Sequence, residues 1–208
     1  MINGEDQARA FCRERVSGGG GAQLERFAEL LVAENESQNL VAASSVPDMW
    51  RRHIADSLQL VDHVPRGTGT WLDLGSGGGL PGIVVAIAAP KRHVILIEPR
   101  KLRVEWLRHV IVELALSNVE VISTRVEVVP ARPAEVISAR AFAPLPKLLR
   151  LAMRFSTPDT KWVLPKGRSA SQELQDQSPD VRRMFHEEQS LTDPYAGILI
   201  GQGVPELR

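Results

Sequence analysis

Between residues 71 and 82 the chain reads Trp-Leu-Asp-Leu-Gly-Ser-Gly-Gly-Gly-Leu-Pro-Gly, and few folds accommodate such a segment. A short apolar strand carrying Asp73 breaks into glycines at 75, 77, 78 and 79, and a helix is expected to begin near Gly82. Glycine lacks a Cβ and adopts left-handed dihedrals freely, so backbone in this loop can approach a bulky ligand closely. Gly77-x-Gly79-x-x-Gly82 formally satisfies the dinucleotide fingerprint. Asp73-x-Gly75-x-Gly77-x-Gly79 is the competing register. Charge separates the two, because a pyrophosphate seeks helix-terminal N–H groups and Asp73 would repel it. A cationic nucleoside is attracted instead. Glycine-rich strand-to-helix turns also occur as plain tight turns.

The second register is similar to the nucleoside loop of class I S-adenosylmethionine methyltransferases, whose ligand presents an ammonium and a sulfonium. The chain after it agrees. Strands are expected at Thr70–Leu74, His93–Ile97, Val119–Ser123, Val136–Ser138 and Lys161–Leu164, with helices at Gly82–Ala89, Lys101–Leu116, Leu145–Phe155 and Ala170–Gln177. Val181–Glu188 and Ala196–Gln202 are expected to add an antiparallel hairpin. Such alternation predicts an α/β fold: a doubly wound, mostly parallel, Rossmann-like sheet with ligand at the carboxyl ends of its strands.

Residues 5 to 65 read as helical instead. Helices are expected at Glu5–Val16, ended by the Ser17–Gly21 glycine run, and at Ala22–Glu36, with Leu24, Phe27, Leu30 and Leu31 on one face. A third should run from Ser45, as N-cap with Pro47 in the first turn, to about His63. Two segments are therefore expected: a helical extension over 1–65 packed on a methyltransferase domain over 66–208.

Composition narrows the partners. Lys plus Arg and Asp plus Glu both number 25, so the net charge is zero and any nucleic-acid surface must be local. Cys12 is the single cysteine, which excludes an intramolecular disulfide and points to a reducing compartment. Met1–Asp6 begins acidic, without a targeting pattern, and the longest apolar run, Ile83–Ala89, is far short of a membrane span. A soluble, cytoplasmic monomer is expected. No CxxC pair or His/Cys cluster suggests a metal.

Further candidates follow the strands. Glu98, after the second strand, is placed to accept hydrogen bonds from ribose hydroxyls, or else to face a helix macrodipole. Val126-Glu127, after the third, fits contacts to adenine, although an exposed Glu in a loop is ordinary. Arg140, after the fourth, borders the reacting centre in methyltransferases; a role in holding carboxylate or RNA is favoured over a surface charge. Lys166-Gly167 shares that rim, where lysine is usually just solvated. In the helical segment, Asn39, His53, Asp56 and Ser57 stand out. A hydrolase triad on one helix without a nucleophile elbow is a poor fit; a polar network docking this region onto the site is the better one.

Together, Asn39-Leu40, Met49-Trp-Arg-Arg-His-Ile-Ala-Asp-Ser-Leu58, Asp73 to Gly82, Val126-Glu127, Ser138-Ala-Arg-Ala-Phe142 and Lys166-Gly167 resemble the RsmG-type (GidB) bacterial 16S ribosomal RNA guanine-N7 methyltransferases. The resemblance runs from about Leu24 to Gly167. It implies S-adenosylmethionine contacts at Gly75, Leu80, Val126, Glu127 and Arg140, beside the Asp73, Gly77, Gly79 and Glu98 read from the loop and strands. It also implies 16S rRNA, within a small subunit or assembly intermediate, as substrate. Asn39, His53 and Arg140 become substrate-positioning candidates, and no general base is needed because guanine N7 carries no proton. Trp106 departs from the Phe usual in the family, and Ala143-Pro144 from a commoner Ala-Ser. Missing Asn/Asp-Pro-Pro-aromatic and Pro-Cys motifs argue against exocyclic-amine and C5 methylation.

Basic clusters for RNA are Arg51/Arg52, Arg100/Lys101/Arg103, Arg108/His109, Lys147/Arg150/Arg154 and Lys166/Arg168, each in isolation also readable as a solvated face. The rival readings are a class I methyltransferase acting on a small molecule or protein, a nucleotide-dependent oxidoreductase, and a non-enzymatic RNA-binding assembly factor.

Overall fold

The computed structural model describes residues 1–67 and 69–207; Thr68 and Arg208, inside the span expected for the main domain, lie outside the described residues. A seven-stranded sheet runs through the centre in the order β3-β2-β1-β4-β5-β7-β6. Its strands are β1 (Trp71–Leu74), β2 (Val94–Ile97), β3 (Val119–Ile122), β4 (Val136–Ser138), β5 (Lys161–Gly167), β6 (Phe185–Gln189) and β7 (Gly197–Gln202). β1 to β5 are parallel, and β7 enters antiparallel between β5 and β6. The order reverses at β1, which pairs β2 on one side and β4 on the other, so a crevice opens beyond their carboxyl ends.

Alternation along the strands sends side chains to two cores. On one face Trp71, Val94, Leu96 and Val136 meet the helical segment. That segment contributes α1 (Glu5–Arg15), α2 (Gly20–Glu34) and a helical stretch at 43–63 that includes α3 (Asp56–Leu58). Leu24, Phe27, Leu31, Trp50, Ile54 and Leu58 are buried there, together with Ile83 and Val84 of α4 (Gly82–Ala88). On the other face Leu72, Leu74, Ile95, Ile97 and Trp162 pack under Leu145, Leu148 and Leu149 of α6 (Leu145–Ala152). α5 (Lys101–Glu113) joins β2 to β3, and α7 (Ala170–Gln175) and α8 (Pro179–Met184) precede the hairpin.

Three local expectations are corrected. The first helix ends before the Ser17–Gly21 run, as expected, but the second starts inside that run, at Gly20 rather than Ala22. The hairpin's first strand begins at Phe185 rather than Val181, since Pro179 in the first turn and the Ser178 side chain, which accepts from the Val181 N–H at 3.4 Å, start a helix there. Most consequential, the stretch from Ser45 is no regular α-helix. It passes from 3₁₀ at Ala43–Asp48 to π-helix at Trp50–Ala55, one α turn, and 3₁₀ again at Gln59–His63. Ser45 caps nothing, because its hydroxyl donates to Ala42 O at 2.6 Å. The Glu5 carboxylate, from α1, instead accepts the N–H groups of Trp50 and Arg51, both at 2.9 Å.

Candidate active site

The glycine loop closes the carboxyl end of β1. The N–H groups of Gly75 and Ser76 both donate to Ile97 O, at 2.8 and 3.2 Å, and Gly79 N–H returns to Ser76 O at 2.7 Å. Gly75 has φ +69°, and a Cβ there would lie 2.6 Å from Phe142 Cδ2. Only glycine fits under that ring. Leu80 is buried, and Trp106 donates its indole N–H to Gly78 O at 3.2 Å, a bond that a phenylalanine at this position could not make.

The acidic residues divide their work. Glu98 is 3 % exposed; its carboxylate accepts Gly77 N–H at 3.0 Å and Arg100 N–H at 2.9 Å, tying β2's end to the loop. A carboxylate has roughly four lone-pair sites, which leaves two for a ligand's hydroxyls. Asp73 is wholly buried. The Trp71 indole donates to Ser138 Oγ at 2.8 Å, and Ser138 donates on to Asp73 Oδ1 at 2.7 Å. Burial pushes the Asp73 carboxyl up, although the Ser138 and Ser76 hydroxyls and Gly82 N–H favour its charge. The carboxylate exposes no surface, so its attraction for a cation acts through space.

Beyond β3, buried Val126 and exposed Glu127 border a cleft of about 320 Å³ shared with Ile97, Phe142 and Lys147. Arg154 builds this wall. Its guanidinium donates to the carbonyls of Val126 at 2.8 Å and Glu127 at 3.0 Å, and to that of Val129. Its sequence made it a candidate RNA-contacting cation, but it is engaged with backbone carbonyls of its own chain.

Beyond β4 and β5 a second cavity, of about 630 Å³, takes in Arg140, Phe142, Ala143, Lys166 and Asp56. Phe142 and Ala143 line both cavities, so the two adjoin. Arg140 is held by residues far away in sequence. Its guanidinium donates to His53 Nδ1 at 3.2 Å and lies 3.9 Å from Asp56 Oδ2. Arginine only donates, so Nδ1 accepts and the imidazole proton sits on Nε2. From Nε2 it is given to Ser45 Oγ at 2.7 Å, and Ser45 donates to Ala42 O. Burial, then the charges of Arg140 and Arg52, lower the His53 pKa to about 3, in keeping with a neutral ring. Asp56 is braced by Thr192 Oγ1 at 2.7 Å and Gln59 Nε2 at 2.9 Å; burial raises its pKa against the opposing effect of Arg140.

The structure thus joins Arg140 with His53 and Asp56 and leaves two other candidates apart. Asn39 is exposed, and its side chain makes no hydrogen bond among the described residues. Ser57 Oγ is buried with no partner, so Ser57 does not form a triad with His53 and Asp56. Lys166 is not merely solvated. Its side chain is 7 % exposed and donates to Ala143 O at 3.0 Å and Glu173 Oε2 at 2.9 Å. Burial opposes ionisation of Glu173, but the bonds from Lys166, Ser169 and the Leu145 N–H prevail and hold its carboxyl below the usual range. Glu173 was missed by sequence reasoning, and Ser138 was quoted only as the start of a motif with no role of its own; strand pairing brings Ser138 to Asp73, and the α7 packing brings Glu173 to Lys166. No cluster of metal-ligating side chains occurs among the described residues.

A glycine loop at the switch point of a doubly wound sheet, flanked by acids on β1 and after β2, defines a class I methyltransferase fold. Solved structures agree on that fold. A mutant of MtNAS in complex with S-adenosylmethionine superposes with a TM-score of 0.58 at 18% identity, covering 95% of this chain and 77% of that one. A SAM-dependent methyltransferase from Aquifex aeolicus gives 0.55 at 15% identity, covering 76% and 94%. The profile of the GidB family, rRNA small subunit methyltransferase G, matches residues 21–193. Ribosomal RNA small subunit methyltransferase G of Erythrobacter litoralis is 56% identical over 98% of both chains. That of Novosphingobium aromaticivorans is 51% identical over 95% of this chain and 88% of its own. The chain belongs to the GidB family.

Proposed function

We propose that the protein transfers a methyl group from S-adenosylmethionine to N7 of one guanine in 16S rRNA. Family membership supports the reaction class. The observation that carries the reading in this structure is the pair of adjoining cavities, one at the Val126-Glu127 cleft beyond β2 and β3 and one around Arg140, with Phe142 and Ala143 lining both. The residues suit the donor: Gly75 lets the loop pass directly under the Phe142 ring that lines both cavities, Glu98 has lone pairs beyond its two backbone bonds for hydroxyls, and the Val126-Glu127 cleft is sized for a planar base. Asp73, Gly75, Gly77, Gly79, Leu80, Glu98, Val126, Glu127 and Arg140 form its binding set in this reading.

When bound, S-adenosylmethionine supplies an electrophilic methyl group on a sulfonium. Guanine N7 holds a lone pair and no proton, so no side chain has to act as a base. The protein's task is alignment, and proximity and orientation supply the rate. Arg140 is suited to this, because the neutral His53 acceptor and the braced Asp56 fix its guanidinium at the cavity wall. The product guanine is cationic, and the buried carboxylates of Asp73 and Asp56 favour positive charge nearby. The helical extension over 1–65 delivers His53 and Asp56 to the domain over 66–208. We further assign the substrate as a small-subunit particle met by a monomer in the cytoplasm. No helix among the described residues is long and apolar enough to cross a membrane.

Incubation with methyl-labelled S-adenosylmethionine and small ribosomal subunits from cells lacking the modification tests this. N7-methylguanosine at a single 16S position is the expected product. Labelled protein or unlabelled RNA, despite bound S-adenosylmethionine, would move the activity to another methyl acceptor. Sedimentation of the active species checks the monomer.

A further inference from the structure

A groove of about 500 Å³ lies between the π-helical turn and the β6–β7 connection, with Arg51, Arg52, Arg168 and Tyr195 on its walls. It is continuous with the Arg140 cavity, since Asp56, Gly167 and Ala196 line both. Two clusters separated by more than a hundred residues in sequence therefore meet at the mouth of the candidate active site.

The charges in this groove differ in availability. Arg51 pairs with Asp48 at 3.1 Å. Arg52 and Arg168 are exposed, and neither makes an ion pair among the described residues. The Arg168 guanidinium instead lies 4.9 Å from the centroid of the Tyr195 ring. Tyr195 is 69% exposed, while its N–H is held by Asp193 Oδ1 at 2.9 Å. The two carboxylates present are both engaged: Asp193 by that N–H, and Asp56 by Thr192 and Gln59 beside Arg140. In a chain of zero net charge, free guanidiniums next to a presented aromatic ring form a local exception.

We propose that this groove binds the single-stranded RNA flanking the target guanine, with Tyr195 stacked on a neighbouring base and Arg52 and Arg168 on phosphates. Aromatic stacking combined with arginine contacts is how single strands are held, and a base seated in the Arg140 cavity needs its flanking backbone to leave by a connected path. The inference rests on the RNA reading above.

The test compares wild type, an Arg52→Ala/Arg168→Ala double variant, Tyr195→Ala and Tyr195→Phe. Methylation of small subunits from cells lacking the modification, and of protein-free 16S rRNA, is followed over a salt series, with S-adenosylmethionine affinity measured by calorimetry. The double variant should raise KM for both RNAs about tenfold or more and flatten the log–log salt dependence by about 1.4, the value for two single-strand phosphate contacts. Tyr195→Ala should raise KM about tenfold, within the range of one lost stacking contact. Tyr195→Phe should stay close to wild type, and every variant should bind S-adenosylmethionine normally. Unchanged KM and salt slope in the double variant and Tyr195→Ala would overturn the groove while leaving methyl transfer to RNA standing. A defect on subunits but not on protein-free rRNA would assign the groove to a ribosomal protein, and a parallel loss of S-adenosylmethionine affinity would assign it to the donor; either overturns the proposal. If wild type methylates no RNA, the function reading fails and the groove falls with it.

Discussion

His53 shows how a single buried side chain can be read down to its proton. The ring accepts from Arg140 and donates to Ser45, and a second proton would set a cation against a guanidinium. Its pKa is lowered from 6.5 to about 3, so between those values the unfolded chain takes up a proton that the folded chain refuses. The resulting contribution to stability is intact above pH 6.5 and is lost as pH falls toward 3, by about 1.4 kcal/mol per unit. Asp56 and Asp73, whose pKa values are raised, act with the opposite sign: they cost least below their ordinary 3.8 and most once pH has passed their folded values. Denaturant unfolding of wild type and His53→Gln from pH 7.5 to 4.5 should show the gap between them narrowing as pH falls. Gly75 gives a second prediction at this scale. Gly75→Ala combines a left-handed φ, worth about 1–2 kcal/mol, with a Cβ 2.6 Å from the Phe142 ring. It should weaken S-adenosylmethionine binding more than tenfold by calorimetry, and Phe142→Ala in the same chain should recover part of the lost stability.

Among the elements, the π-helical turn at Trp50–Ala55 most affects the site. It changes the angular spacing between His53 and the side chains before it, and so sets which of them face β4. Such turns recur where side chains must be re-aimed for function. Its first N–H groups lack helical partners and are satisfied by Glu5, while the Arg9 guanidinium lies 4.3 Å from the Trp50 ring centroid. α1 thus acts as the cap of a turn 45 residues away. Glu5→Ala should cost about 2 kcal/mol in denaturant unfolding, in line with a lost charged cap to two N–H groups. Glu5→Gln, with one accepting oxygen, should fall between. Activity should drop in the same order, because Arg140 takes its orientation from this turn.

For the whole molecule, the helical segment and the sheet share one core. Leu24, Phe27 and Ile54 lie in the same cluster as Trp71, Val94 and Leu96, so removing the first uncovers the second. A single cooperative transition is expected. Variants retaining Trp50 or Trp162 as the lone fluorescent reporter should unfold at the same denaturant concentration, and a chain lacking residues 1–41 should not fold alone. Two separate midpoints would show that the segments are stabilised independently.

The glycine loop and the strand–helix alternation could be read directly from residue order, because backbone conformation and hydrophobic period act over a few neighbours. Glu98 and Arg140 were found by the same route, since each follows a strand whose end must lie at the crevice. The π turn, the hold of His53 on Arg140 across 87 residues, the Lys166–Glu173 pair and the meeting of Arg52 with Arg168 could not be found that way. Each depends on how elements are rotated and packed against one another, and that placement is set by the summed contacts of distant side chains. Sequence determined the sheet and the loop for the ligand; tertiary structure decided which side chains stand around it and in what charge state.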